Sequence, residues 1–169
     1  MINQPGLYED PIAAKIISIL RQGGPSKLKN RYINGDVLKP SRSEYPLCYV
    51  AKDTTSTTAA TNMEDQDSCM YVITVVLDAT NDINRAFNIV NGSPELQRMV
   101  EGRNSDYSLR SDSILYVLRN NEQLDAKLWL WPPFNISYGI GRERRGPGMF
   151  SYEATIKFEA RLHRKRAGL

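Results

Sequence analysis

Met70-Tyr71-Val72-Ile73-Thr74-Val75-Val76-Leu77-Asp78 is the stretch on which the fold turns. It is the longest nearly uninterrupted apolar run in the chain, and it is rich in β-branched residues, which fit a pleated surface. Both alternating sets are apolar. Tyr71, Ile73, Val75 and Leu77 form one, Met70, Val72 and Val76 the other, with only Thr74 interrupting. A half-buried strand alternates apolar with polar residues, so this run predicts a central strand covered on both faces. Helices, another protomer or both are expected to supply the cover.

Upstream, residues 53–68 read DTTSTTAATNMEDQDS. They are small, polar and without periodicity, which predicts an exposed loop or hairpin tip between two strands. Tyr45–Ala51 is the strand before it, with Pro46 near its start, where a missing N–H is tolerated. Val37-Leu38 reads as a short strand ending at Pro40, after the turn signal Asn34-Gly35-Asp36. Further back, Ile12, Ile16, Ile19 and Leu20, with Ala13 and Ile17 beside them, fall at helical spacing. Asp10 is the expected N-cap, Pro11 suits the first helical position, and Gly23-Gly24-Pro25 stops the helix. Residues 1–9 read as a polar arm.

Downstream, Thr80 or Asn81 caps a helix whose apolar stripe is Ile83, Phe87 and Val90. Asn91-Gly92-Ser93-Pro94 breaks it and a short helix restarts through about Val100. Residues 101–112 are a polar excursion. Ser111 or Asp112 then caps a third helical segment burying Ile114, Leu115, Val117 and Leu118, with a strand as the competing reading. Ala126–Trp131 is a strand, interrupted by Pro132-Pro133 and continued by Phe134–Tyr138. Residues 139–148, GIGRERRGPG, predict a Gly- and Arg-rich hairpin tip. The last strand alternates strictly. Phe150, Tyr152, Ala154, Ile156, Phe158, Ala160 and Leu162 face one way, and Ser151, Glu153, Thr155, Lys157, Glu159 and Arg161 face the other. Residues 163–169 read as a basic tail. Together these predict an α+β fold: one domain over 1–169, a mostly antiparallel sheet of about four to five strands, helices packed on one face, polar loops and a long C-terminal hairpin.

Composition narrows the function classes. A net charge of +3 over 169 residues is too mild to imply nucleic-acid binding by itself. No apolar run approaches the roughly 20 residues of a membrane span. The start, MINQPGLYEDP, lacks the basic and apolar regions of a signal peptide. Two cysteines make no disulfide framework, and cytosolic synthesis is the expectation.

No catalytic constellation stands out. His163, the single histidine, falls in the basic tail, where it poorly serves a nucleophile–base pair. Cys48 and Cys69 lie on strands and read as buried free thiols, too few for a zinc site. Glu64, Asp65 and Asp67 are close in sequence, but their spacing does not match a calcium loop and no glycine provides its turn. Asp36, Glu44 and Asp78 have no spacing that suggests a two-metal centre. Arg142, Arg144 and Arg145 sit among glycines without the strand-to-helix switch of a phosphate-binding loop. They form a cationic tip that suits a phosphate backbone or an acidic protein surface. Trp129, Trp131, Phe134 and Tyr138 crowd one strand region. Aromatics so placed serve as core, as stacking platforms for single-stranded nucleic acid, or as interface anchors. No metal or cofactor is expected.

The order of elements resembles the tail terminators and related neck, or head–tail joining, proteins of tailed bacteriophages. The resemblance spans roughly residues 10–162 and is one of layout. It rests on the helix Pro11–Arg21 with its Gly-Gly break and on the strand opened by Tyr45-Pro46-Leu47-Cys48-Tyr49-Val50. It continues through a polar loop, the apolar strand Val72–Asp78, a helix beginning Asn81-Asp82-Ile83, and the alternating strand Tyr152–Leu162. The resemblance implies a non-enzymatic virion component assembled in the host cytoplasm. Such proteins form rings, usually homohexamers, that cap the tail tube, stop its polymerisation and dock to the head connector. The implied partners are neighbouring subunits, the tube protein and the connector or stopper protein, with viral DNA only passing through the lumen. A ring needs heterologous contacts between unlike patches. Trp129, Trp131, Phe134, Tyr138, Tyr152 and Phe158 are the expected subunit interface. Arg142, Arg144 and Arg145, with Glu64, Asp65 and Asp67, are the expected contacts to adjacent layers. A head-completion or stopper protein is the neighbouring alternative, and an α+β nucleic-acid-binding module the alternative of another class.

Overall fold

The computed structural model describes residues 9–35, 45–59, 64–79, 93–142 and 150–165. Helix α1, Pro11–Gly23, forms where the apolar spacing places it. Asp10 accepts the amides of Ile12 at 2.8 Å and Ala13 at 3.1 Å, and Pro11 occupies the first turn, where its missing N–H costs nothing. The helix buries Ala13, Ile16, Ile17 and Leu20. Gly24 follows because a Cβ there would stand 2.5 Å from the Leu20 carbonyl oxygen and 2.6 Å from the Tyr32 hydroxyl.

The strands are β1 (Tyr32–Asn34), β2 (Leu47–Ala59), β3 (Glu64–Asp78), β4 (Gln123–Asp125), β5 (Leu128–Arg142) and β6 (Phe150–Lys165). They form one curled sheet in the order β1-β2-β3-β6-β5-β4. The class is α+β, but the expectation of four to five antiparallel strands is corrected to a six-stranded mixed sheet. The two added strands are three-residue edge pieces, too short to show any periodicity. One of them, β1, runs parallel to β2 (Tyr32↔Cys48), which its connection to β2 through residues 35–46 permits.

β3 is the central strand. It pairs along its whole length with β6, from Glu64↔Lys165 to Asp78↔Ser151. Tyr71, Ile73, Val75 and Leu77 are buried, as are Thr74 and Val76 in the opposite set, whereas Met70 and Val72 are partly covered. Burial on both faces therefore holds at the Thr74–Leu77 end and weakens toward Met70.

Residues 53–59 and 64–68, expected as loop, are strand. β2 continues through Ala59 and β3 begins at Glu64, so the two strands form an arm paired from Thr54↔Met70 to Ala59↔Asp65. A bulge between Lys52 and Thr54 introduces it. The arm extends past the helices, so neither face acquires an apolar stripe. Its Thr-rich composition carries the β-propensity instead. Likewise Pro132-Pro133 does not split the strand at 126–138. β5 runs on through Arg142, and the irregularity between Trp131 and Asn135 absorbs the prolines. Residues 139–142, read as hairpin tip, are strand. The basic tail is shorter than expected, because His163, Arg164 and Lys165 belong to β6.

Helices α2 (Pro94–Glu101) and α3 (Ile114–Asn120) complete the described helices. Ser93 caps α2 through the Glu95 amide at 3.2 Å. Ser113, rather than Ser111 or Asp112, caps α3 through the Tyr116 amide at 3.4 Å. Ile114, Leu115, Val117 and Leu118 are buried, as expected of a helix. The helix expected at 81–90, the strand at Val37-Leu38, and Arg144, Arg145, Asp36 and Glu44 lie outside the described residues.

One apolar core joins the three helices to a single sheet face. Ile16, Leu20, Leu96, Val100, Ile114 and Leu118 meet Val50, Tyr71, Ile73, Val75, Ile156, Phe158 and Leu130. Burying each such side chain contributes about 1.5–3 kcal/mol, which offsets the entropy of ordering these elements. Among the described residues no helix is long and apolar enough to cross a membrane.

Candidate functional site

Strand parity sorts the aromatic residues into two populations. On β5, Leu128 and Leu130 pair with Leu162 and Ala160 and face the helices, so Trp129 and Trp131 face away. The irregularity adds two residues between Trp131 and Asn135 and preserves the phase. Phe134, Ile136 and Tyr138 therefore return to the helix side. Phe134 packs at 5.5 Å from the Phe158 ring, and the Tyr138 hydroxyl donates to Glu101 Oε1 at 2.8 Å. Burial, with Glu101 beside it, pushes the Tyr138 hydroxyl pKa up. Tyr152 and Phe158 are 4% and 1% exposed. Tyr152 and Phe158 are thus core residues, and the expectation that these two form a subunit interface is corrected; Phe134 and Tyr138 are partly buried and pack against the core from the edge of the sheet. A side chain as fully enclosed as Phe158 has no surface to offer.

Trp129 and Trp131 remain. Trp131 is 45% exposed, one of the few large apolar side chains so open. Across the ladder, Trp129 is level with Arg161 and Ser68, and Trp131 with Glu159 and Met70. Arg161 lies over Trp131 with its guanidinium carbon 4.0 Å from the ring centroid. It is held there from below: Nε donates to Glu159 Oε1 at 2.7 Å and Nη2 to Oε2 at 3.3 Å. The Ser68 hydroxyl donates to the same Glu159 Oε1 at 2.6 Å, which ties the assembly to β3. Arg161's hydrogen bond is the main reason the Glu159 carboxyl sits below the usual carboxylate range. His163, one step along β6 on this face, meets Trp129 edge to face at 5.4 Å. Gln66, Trp129, Trp131, Arg161 and His163 line an open groove of about 320 Å³.

This surface joins flat aromatic area to a pre-positioned guanidinium and hydrogen-bonding groups, the composition of an interface anchor. The sequence reading missed Arg161, His163, Glu159, Gln66 and Ser68 as members. The signal was present: the polar phase of β6 runs through Glu159 and Arg161 and reaches His163 if the strand does not stop at Leu162.

The acidic trio is also altered by the fold. Asp67 sits within β3, accepting from the Thr57 hydroxyl at 2.5 Å and from Arg164 Nε at 2.8 Å. These two donors hold its carboxyl below the ordinary range. Glu64 and Asp65 occupy the start of the same strand, opposite Lys165 and Arg164. Arg142 ends β5 opposite Phe150. Cys48 and Cys69 are buried free thiols. Among the described residues no three His, Cys, Asp or Glu side chains are grouped to hold a metal ion.

In comparisons with known proteins, no family model and no curated protein matches the chain.

Proposed function

We propose that this chain is a structural component of the neck of a tailed bacteriophage, similar to the tail terminators, acting as a self-assembled ring between tail tube and head connector. The observation that carries the reading is the Trp129–Trp131 surface, with Trp131 45% exposed on the sheet face opposite the helices and fixed by Arg161. A rigid aromatic anchor held by a charge-assisted pair favours protein contact, because little side-chain entropy is lost when a partner covers it. The layout of an N-terminal helix, a long β2–β3 hairpin and a closing β5–β6 hairpin supports the same reading. Helices on one side of an open sheet favour a terminator over the stopper proteins, which are more often small β-barrels.

The test is assembly. Native mass measurement of the purified chain should show a closed ring, and the chain added to polymerising tube protein should halt tube growth. A chain that stays monomeric at every concentration and leaves tube length unchanged overturns the reading.

The groove offers a second reading, a stacking site for single-stranded nucleic acid. Arg161 already covers one face of Trp131, which leaves less ring for a base. Such a site would show affinity falling steeply with salt. Absence of any retention on single-stranded DNA or RNA at low salt would remove it.

A further inference from the structure

Among the described residues, both long flanks of the sheet carry an edge without a partner strand, and the two edges are complementary. Among the described residues β1 covers β2 at Cys48–Val50 alone, so the arm Thr54–Ala59 is an edge strand, exposed throughout. Among the described residues β4 and the preceding Glu122 cover β5 at Leu128–Leu130, so Ile136–Ile140 is an edge on the other flank. Exposed edges are templates for strand addition, and proteins usually blunt them with lysine, proline or charge. Thr54–Ala59 carries none of these.

The ladder phase tells which groups point outward. On β2, the Cys48 amide donates to Arg31 at 3.0 Å and the Val50 carbonyl accepts from Gly35 at 2.8 Å, so these residues turn away from β3. The bulge at Lys52/Thr54 shifts the phase by one, which leaves the N–H and C=O of Thr55, Thr57 and Ala59 pointing outward. On β5, the Leu130 amide donates outward to Glu122 at 2.6 Å. Because the insertion at the prolines preserves the phase, Ile136, Tyr138 and Ile140 point outward beyond it. Three outward residues on one flank thus match three on the other.

Direction and facing agree as well. β2, β3, β6 and β5 are antiparallel in turn, so β5 of one copy lies antiparallel to β2 of a copy that continues the sheet. The outward residues have side chains on the helix face in both strands: Thr55 reaches Cys69 Sγ at 3.6 Å, and Ile136 and Tyr138 pack on the core. Continuing the sheet therefore keeps all helices on one side.

We infer that copies of this chain join head to tail by sheet continuation, with Ile136–Ile140 of one copy paired to Thr55–Ala59 of the next. This rests on the ring reading and names its contact. The edges lie about eight residues apart along the ladder, since Tyr138 is level with Cys48, so each copy steps roughly 27 Å along the strands. Closure requires strands oblique to the ring axis; without that tilt the contact propagates as a filament. In the antiparallel sense the neighbour's Ala59 end runs toward Pro133, which brings Trp131 beside the same junction.

The experiment blocks each edge separately. Thr55→Pro with Thr57→Pro removes two outward N–H groups while sparing the β2–β3 ladder, and Ile140→Pro does the same on β5. Native mass spectrometry should show wild-type assemblies, a 19.2 kDa monomer for each variant alone, and one-to-one dimers when the two variants are mixed. Thr55→Val with Thr57→Val keeps the N–H groups and should still assemble. Intact assemblies in either proline variant, or dimers formed by one variant alone, overturn the inference while leaving the ring reading in place. A wild-type chain that is only ever monomeric overturns both. Hydrogen exchange on the wild-type chain covers the event that a proline variant does not fold. The amides of Thr55, Thr57, Ile136 and Tyr138 should be protected in assemblies and exchange freely after dissociation; equal exchange in both states overturns the inference.

Discussion

The hydroxyl of Tyr71 donates to both carboxylate oxygens of Asp10, at 2.9 and 3.0 Å, which ties the central strand to the N-cap of the first helix. Asp10 also receives the Ile12 and Ala13 amides, and Lys52 lies 3.3 Å away. One carboxylate thus sets the start of α1, its position over β3, and the point where β2 leaves the core.

Removing it should be costly. Asp10→Ala loses a helix cap and strands the buried Tyr71 hydroxyl, a loss of about 2 kcal/mol. Tyr71→Phe removes one hydrogen bond and leaves the cap, a loss of about 1 kcal/mol. Urea denaturation of both variants and the double variant should show costs that do not add, because the two changes share one contact.

The same carboxylate gives a pH dependence with a definite sign. Burial alone would raise the Asp10 pKa, but the Ala13 amide, the Tyr71 hydroxyl, the Ile12 amide and Lys52 outweigh it and hold the pKa below its ordinary 3.8. The folded state therefore binds this proton less readily than the unfolded state. Its stabilisation is complete above the unfolded pKa and is lost as pH falls through the folded value. Wild-type stability should drop more steeply below pH 4 than that of Asp10→Asn, measured by denaturation at stepped pH.

Two aromatic truncations should separate surface from core. Phe158→Ala, at 1% exposure, should cost about 3–5 kcal/mol. Trp131→Ala, at 45% exposure, should change monomer stability by less than about 1 kcal/mol yet abolish or weaken assembly. Thermal melts and native mass on the same samples make the comparison. Intact assemblies of Trp131→Ala would remove this residue from the interface.

Cys48 is fully buried, and burial pushes its thiol pKa up, which keeps it in the unreactive protonated form. A thiol reagent such as Ellman's should leave Cys48 unmodified in the native protein and label it only on unfolding. Rapid native labelling, located by peptide mapping, would contradict its burial in the core.

Much of this architecture was legible because local patterns coincided with tertiary burial. Asp10-Pro11 and the stripe Ile16 to Leu20 gave α1, and the alternation Tyr152 to Leu162 gave the core face of β6. The Thr-rich arm at 54–59 was not legible as strand, because an element exposed on both faces shows no apolar period. The aromatic site was half legible. Trp129 and Trp131 stand out in the sequence, but so do Phe134 and Tyr138 beside them, and the opposite parity that turns these two to the helix side shows only in the paired sheet.

By itself, the sequence determined the central strand, the Asp10 cap of α1, the apolar faces of the described helices and the inward phase of β6, because each follows from neighbours within a few residues. Only the tertiary structure decided that Arg161, Glu159 and His163 join Trp129 and Trp131, that β1 runs parallel to β2, and that two edges lack a partner strand among the described residues. Those depend on register between strands distant in the chain. A one-residue shift in that register would exchange every face.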